Sequence, residues 1–423
     1  MTGSPAAQLA ALVRDGDRLF IGTGAGEPRT LLRLLIDQVL PDRRGVELIQ
    51  VAVGGSEMIV ETPRGCSHRV RLVAGGARGN AALREGAASL VPASMGTLEE
   101  LISAGELRID GALIAGTRRG PDGPISPGLS LDLGRSAAAA ARFRAVELNA
   151  ALPAVRAADW LRLADGDLVI SSDDPPPVTS PRLPDETQRR IGRLVASLVP
   201  PRAAVELGVG QGLRGVAHAL AEREAGFCIT IHTGMITDDV RLLVERGVVA
   251  GTAPDDAEAS VIASVALGTA EFYQWLDDNP AVRFVDSGRA HRAAHLLGLG
   301  RFVAINSAAQ IDLLGNVGAP TAEGALGGGG LPDFATAGAH SAGSIIALEA
   351  RDRHGASKLV ARAAHVQLHG SAVTHVVTEF GIAALRGAGA RERAARIAAV
   401  AHPDDRVALA GNPPLAAPQS MVY

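Results

Sequence analysis

A proline-rich run, Asp173-Asp174-Pro175-Pro176-Pro177-Val178-Thr179-Ser180-Pro181-Arg182-Leu183-Pro184, interrupts an otherwise regular alternation of short apolar stretches and amphipathic ones. Proline removes a backbone donor and fixes φ, so this run enters neither a helix interior nor a central strand. It reads as a linker, and the same alternation starts afresh behind it. A chain of 423 residues is long for a single hydrophobic core. The expected organisation is an N-terminal α/β domain over 1–172, a linker over 173–184 and a second α/β domain over 185–423.

The alternation itself sets the fold class. Residues 15–22 give a turn and a short apolar strand, followed by the glycine-rich 23–28 and an amphipathic run over 29–40. Further apolar strands are expected at 46–53, 70–73, 111–115 and 145–148, with helices at 95–104 and 134–142. Beyond the linker, a helix at 186–198 precedes a strand at 203–207, the turn Gly208-Val209-Gly210-Gln211-Gly212 and a helix at 213–222. Strands at 227–232, 260–267, 282–285, 302–306 and 344–348 follow, with helices at 270–276, 290–297 and 390–400. Short buried strands alternating with helices demand crossover connections, hence two open, largely parallel α/β domains. The segment 324–334, with four consecutive glycines, is expected to be irregular, and the proline-rich end beyond 400 to be extended or disordered.

Composition excludes several classes. With 20% charged residues and a net charge of −4, nothing suggests nucleic-acid binding. Aromatics are 3% against 50 glycines, so the core is aliphatic with many close backbone approaches. Cys66 and Cys228 show no disulfide or metal-ligand spacing, which fits a reducing cytoplasm and no metal. No segment approaches the roughly 20 apolar residues of a spanning helix, and no export signal is read at the N-terminus.

Three features carry candidate chemistry. The turn 208–212 stands between strand and helix, where glycines serve either an anionic group at the helix start or the tight turn itself. The glycine run 327–330 can direct successive peptide N–H groups at one oxygen, or can be a plain surface loop. His232 shares a strand face with Cys228, but four residues along a strand span about 13 Å, too far for a hydrogen-bonded pair.

The stretch Ile231-His232-Thr233-Gly234-Met235-Ile236-Thr237-Asp238-Asp239-Val240 completes an ordered set. The set includes Val146-Glu147-Leu148-Asn149 with Pro153, Gly208-Val209-Gly210 and Ala304-Ile305-Asn306-Ser307 with Asp312, Leu313 and Gly315. It continues through Gly329-Gly330 with Asp333-Phe334, Val376-Val377-Thr378-Glu379 with Gly381, Leu385-Arg386-Gly387, Arg391-Glu392-Arg393 and Ala401-His402-Pro403. In this order it resembles the acetyl-CoA hydrolase/transferase family, which includes 4-hydroxybutyrate and acetate CoA-transferases.

The resemblance implies two α/β domains with the active site in the cleft between them, a CoA thioester held largely by the second domain, and a homodimer. It implies that the Gly329 and Gly330 backbone polarises the thioester carbonyl, and that Gly208, Gly210, Gly328 and Asn306 lie at the CoA or substrate site. It also implies a glutamate at position 234 that attacks the thioester and carries CoA covalently. Here that position is Gly234, which has no side chain. Nearby departures are Asp239 for a usual glycine, Gln310 for a frequent glutamate and Leu331 for a frequent glutamine. The expectation is therefore acyl-CoA processing, by hydrolysis or direct acyl transfer, without a glutamyl-CoA intermediate. His232, Asp238, Asp239 and Glu206 are the candidate bases, and the thioester is either free acyl-CoA or one on a carrier protein. Two alternatives stand beside it: CoA transfer through a relocated carboxylate at Asp239, and a non-catalytic homologue or partner subunit that binds CoA esters.

Overall fold

The structure is a computed structural model, and it describes residues 3–52, 54, 68–75, 77–119, 123–157, 160–180, 182–224, 226–249, 259–319 and 329–411. Two largely parallel sheets form the framework. In the first, the strands run in the order Ser89–Leu90, Arg69–Gly75, Glu47–Ala52, Arg18–Ile21, Gly111–Arg118, Phe143–Asn149 and Leu168–Ser172. All of these pair in parallel, and the short Ile125–Ser126 adds antiparallel to Gly111–Arg118.

The second sheet runs Gly381–Ala384, His375–Thr378, Gly343–Ala347, Phe302–Asn306, Ala204–Leu207, Thr230–His232, Val261–Ala263, Val282–Phe284 and Arg156–Ala157. Only its first pair is antiparallel. Its last strand precedes the proline-rich run: the chain leaves the first sheet after Asn149, pairs Arg156–Ala157 with Val282–Phe284, and returns for Leu168–Ser172.

Each sheet grows outwards in both directions from its first central strand. In the first, successive strands go one way from Arg18–Ile21 and then the other way through Gly111–Arg118. In the second, they do so from Ala204–Leu207, one way through Thr230–His232 and the other through Phe302–Asn306. At such a reversal the connections depart to opposite sides and leave a crevice beyond the carboxyl ends of the strands, where open α/β sheets bind ligands. One continuous hydrophobic core includes Phe20 and Ile114 of the first sheet and Val205 and Ile305 of the second.

Several elements arise where the local chemistry asks for them. The helix Glu186–Leu198 starts at a capping box, Asp185 accepting from Gln188 N while the Gln188 side chain accepts from Asp185 N. Two expectations are corrected. The irregular reading of 324–334 fails from Leu331 onward, because Leu331–Ala339 is a helix with Pro332 in its first turn, where no N–H is missed. The extended end also fails over Pro403–Ala410, a helix with proline at its first position and His402 as cap. A small four-stranded sheet of Gln310–Asp312, Val317–Gly318, Leu359–Val360 and Val366–Leu368 was not foreseen either, its strands being too short for a period to show.

Candidate active site

The two crevices open on one cavity of about 330 Å3. The first unit contributes Thr23, Val51, Met95 and Asp132. The second contributes Glu206, Gly208, Gly234, Asn306, Gly329 and Gly330. Thr23 follows the central strand of the first sheet, while Gly208, Gly234 and Asn306 stand at or just beyond the ends of three adjacent strands of the second. The expected residues Gly208, Gly234, Asn306, Gly329, Gly330 and Glu206 thus come together. Gly328 lies outside the described residues, as does Cys66.

Glu206 and Asn306 form the floor. One oxygen of Glu206 accepts from Asn306 Nδ2 at 2.7 Å and from Ile305 N at 3.1 Å. Glu206 is 2% exposed, and burial outweighs those two hydrogen bonds, pushing its carboxyl up to about 8. Gly208 is obligatory here: a Cβ would lie 2.8 Å from Asn306 Oδ1 and 2.9 Å from the Ile305 carbonyl.

Gly234 follows the strand Thr230–His232, and its carbonyl accepts from Ser264 N and Val265 N. Its backbone is in an ordinary conformation, so the glycine is not there for left-handed freedom. The reason is contact: a Cβ would sit 2.9 Å from His291 Nε2 and 3.0 Å from His291 Cε1. Gly330 approaches the same ring, where a Cβ would meet His291 Cε1 at 2.6 Å and Nδ1 at 3.0 Å. The imidazole therefore packs directly against two glycines, with its ring centroid 4.5 Å from that of Phe334.

His291 is the functional candidate that sequence reasoning missed. It ends the short helix Ser287–His291, which Asp286 caps by accepting from Arg289 N. It is 4% exposed, and burial, with His232 nearby, holds its pKa down to about 3, so the ring is neutral. Its Nδ1 is 3.6 Å from Asp333 Oδ2. The Asp333 carboxyl accepts from Gly96 N at 3.1 Å at the start of the helix Met95–Ser103 and is pushed up to about 6, mainly by burial.

Asp132, also missed, reaches the cavity from the first unit. It adopts φ 41°, a left-handed conformation costing a non-glycine residue on the order of 1–3 kcal/mol. One of its oxygens accepts from Ser287 Oγ at 2.7 Å; the other is buried and makes no hydrogen bond among the described residues. Burial raises its pKa, opposed chiefly by the hydrogen bond from Ser287.

The other expected bases lie elsewhere. His232 is 1% exposed, with its ring centroid 5.2 Å from that of His295, and it does not line the cavity. Asp238 and Asp239 open the helix Asp238–Glu245 and line an adjoining cavity of about 590 Å3 that shares Leu207, Gly208, Val209 and Met235 with the first. Asp238 is occupied by Thr269, accepting from its Oγ1 at 2.6 Å and its N at 3.1 Å. Burial raises the pKa of Asp239, opposed by His218 and Arg214 and assisted by Asp238. Among the described residues no group of three or more His, Cys, Asp or Glu is arranged to hold a metal ion.

Comparison with known proteins gives a consistent picture. The model of the acetyl-CoA hydrolase/transferase N-terminal domain matches residues 4–178, and that of the C-terminal domain matches 268–412. The chain is 28% identical to a succinyl-CoA:acetate/propanoyl-CoA:succinate CoA transferase of Fasciola hepatica, over 94% of this chain and 84% of that one. It is 27% identical to 4-hydroxybutyrate coenzyme A transferase of Clostridium kluyveri, over 96% and 95%. RipA from Yersinia pestis superposes with a TM-score of 0.87 at 25% identity, over 97% of this chain and 96% of that one.

Proposed function

The chain belongs to the acetyl-CoA hydrolase/transferase family, and from that premise we propose that it binds an acyl-CoA in the cleft and passes the acyl group directly to water or to a small acceptor, with no glutamyl-CoA intermediate. The observation that carries this reading is the Gly234 position. It faces the cavity beside Asn306, Gly329 and Gly330, and an imidazole fills the volume that a side chain there would need.

The adjoining cavity suits the rest of the molecule. It offers Thr179, Arg182 and Arg214 for phosphates and is continuous with the acyl end through Gly208 and Met235. A carrier-protein phosphopantetheine would present the same reactive arm, so acyl-pantetheine belongs in the substrate panel. Transfer through Asp239 is disfavoured, because Asp239 lines only the adjoining cavity.

The test is thiol release from a panel of short acyl-CoAs, with intact-mass analysis of the protein during turnover. Expected are free CoA and an unmodified chain; a CoA adduct, with turnover that depends on added carboxylic acid, would instead establish transfer by a relocated carboxylate. Binding without turnover, alone and with cell extract, would make the chain a non-catalytic binder. In a melting assay, CoA at about 100 times its Kd should stabilise the fold by roughly 2.7 kcal/mol.

A further inference from the structure

We propose that His291, oriented by Asp333, is the general base of this site: its Nε2 takes the proton from the water or acceptor hydroxyl that attacks the thioester. This rests on the thioester reading above and assigns the group that performs it.

The ring is aligned for the task. Its Nε2 end is the end that approaches Gly234, a cavity-lining residue, to 2.9 Å from where a Cβ would be. Its other nitrogen faces Asp333 Oδ2 at 3.6 Å and makes no hydrogen bond among the described residues. A movement of about half an ångström makes that a hydrogen bond, and such contacts tighten when substrate binds. With the Nδ1 proton directed at the carboxylate, Nε2 is left as the acceptor. Burial keeps the ring neutral before reaction, and closure of the Asp333 carboxylate on Nδ1 is what makes Nε2 basic enough to take the proton.

Residues of the first unit hold both partners. Ser287, one turn before His291, donates from Oγ to Asp132 Oδ1 at 2.7 Å and from N to the Asp132 carbonyl at 3.1 Å. Asp333 is tied to Gly96. The strained backbone of Asp132 thus has a use: it anchors the helix that carries the base, which makes Asp132 a positioning residue.

The step balances. Water oxygen bonds to the thioester carbon as its proton passes to Nε2, and the negative charge moves to the carbonyl oxygen beside the Gly329–Gly330 backbone. The C–S bond then breaks, and the sulfur leaves with the proton returned from Nε2, giving a carboxylic acid and CoA thiol.

The experiment compares thiol release and CoA binding for the unchanged protein, His291→Gln, His291→Ala and Asp333→Asn. Expected are a loss of at least about 100-fold in kcat for both His291 variants with CoA affinity kept within threefold, and partial recovery of His291→Ala on adding imidazole. In the unchanged protein the rate should fall below about pH 6, where Asp333 takes up a proton. The titratable and charged groups disposed about His291 are Asp333 and His232, with Glu99 and Glu100 on the packed helix Met95–Ser103, Arg292 next in the chain and paired to both, and Asp132 against Ser287. Asp333→Asn should remove that acidic limb. Thiol release that survives intact in His291→Gln overturns the assignment and leaves the thioester reading standing; CoA binding without thiol release in the unchanged protein overturns both.

Discussion

The Gly234–His291 contact makes a claim that can be tested without substrate. Because contact rather than φ demands glycine there, Gly234→Ala should cost about 1–3 kcal/mol, and most of that cost should vanish in the Gly234→Ala/His291→Ala double variant. A double-mutant cycle by urea denaturation reads the coupling. Gly234→Glu should likewise be tolerated only when His291 is truncated. The sequence showed that position 234 lacked a side chain, but nothing local announced what had taken its volume. His291 shares an arginine- and alanine-rich stretch with His295, far from Gly234 along the chain, and only the fold brings His291 and Gly234 together. Glu206 gives a second test at this scale. Between the ordinary carboxyl value of 4.5 and about 8, the folded chain keeps a proton that the unfolded chain releases. Stability therefore falls as pH rises through that window and levels off above it. Glu206→Gln, an isostere of the neutral acid, should remove the slope and be more stable than the unchanged chain by roughly 4–5 kcal/mol at pH 9 and by less than about 1 kcal/mol at pH 5. Chemical denaturation at the two pH values checks this.

Elements were legible where their signals were local. The helices Glu186–Leu198 and Ala270–Leu276 and the strand Phe302–Asn306 fall on their expected bounds, each with a clear start signal or an unbroken apolar run. The expected helix 290–297 is instead two, Ser287–His291 and Ala293–Gly298, with Arg292 extended between them. That break turns His291 to the cavity and could not be read from periodicity, since both pieces are shorter than two full periods. Asp238, one of the expected bases, also ties two elements together. It joins the start of Asp238–Glu245 to Thr269, which in turn caps Ala270–Leu276 by accepting from Phe272 N. Asp238→Ala should lower stability by about 1–3 kcal/mol, and the loss should be partly non-additive with Thr269→Ala, since the Oγ1–Oδ1 bond is lost in both, the Thr269 N–H bond only in the first and the Phe272 cap only in the second. Equilibrium urea unfolding of the three variants decides it.

At the scale of the whole molecule, the alternation of strand and helix announced two parallel α/β sheets, and the resemblance supplied the cleft. It could not announce that the two strand-order reversals face each other, because sheet order depends on which strands pair and not on any one segment. Nor could it show that Arg156–Ala157 closes the far edge of the second sheet. A fragment beginning at residue 185 would lack that strand and leave the outer edge of Val282–Phe284 unpaired. Such a fragment should aggregate on size-exclusion chromatography, and co-production with residues 1–180 should restore a soluble species. The same strand has a consequence in time. During synthesis Arg156–Ala157 emerges before any other strand of its sheet, and its partner Val282–Phe284 follows only after the whole proline-rich run and three further strands of that sheet have been made. The first unit can close around it, yet this short segment must wait in the open until the ribosome delivers the edge it completes. One edge of the second sheet is therefore reserved by the first residues made for it, and a nascent chain stalled before Val282 would present that waiting segment to chaperones.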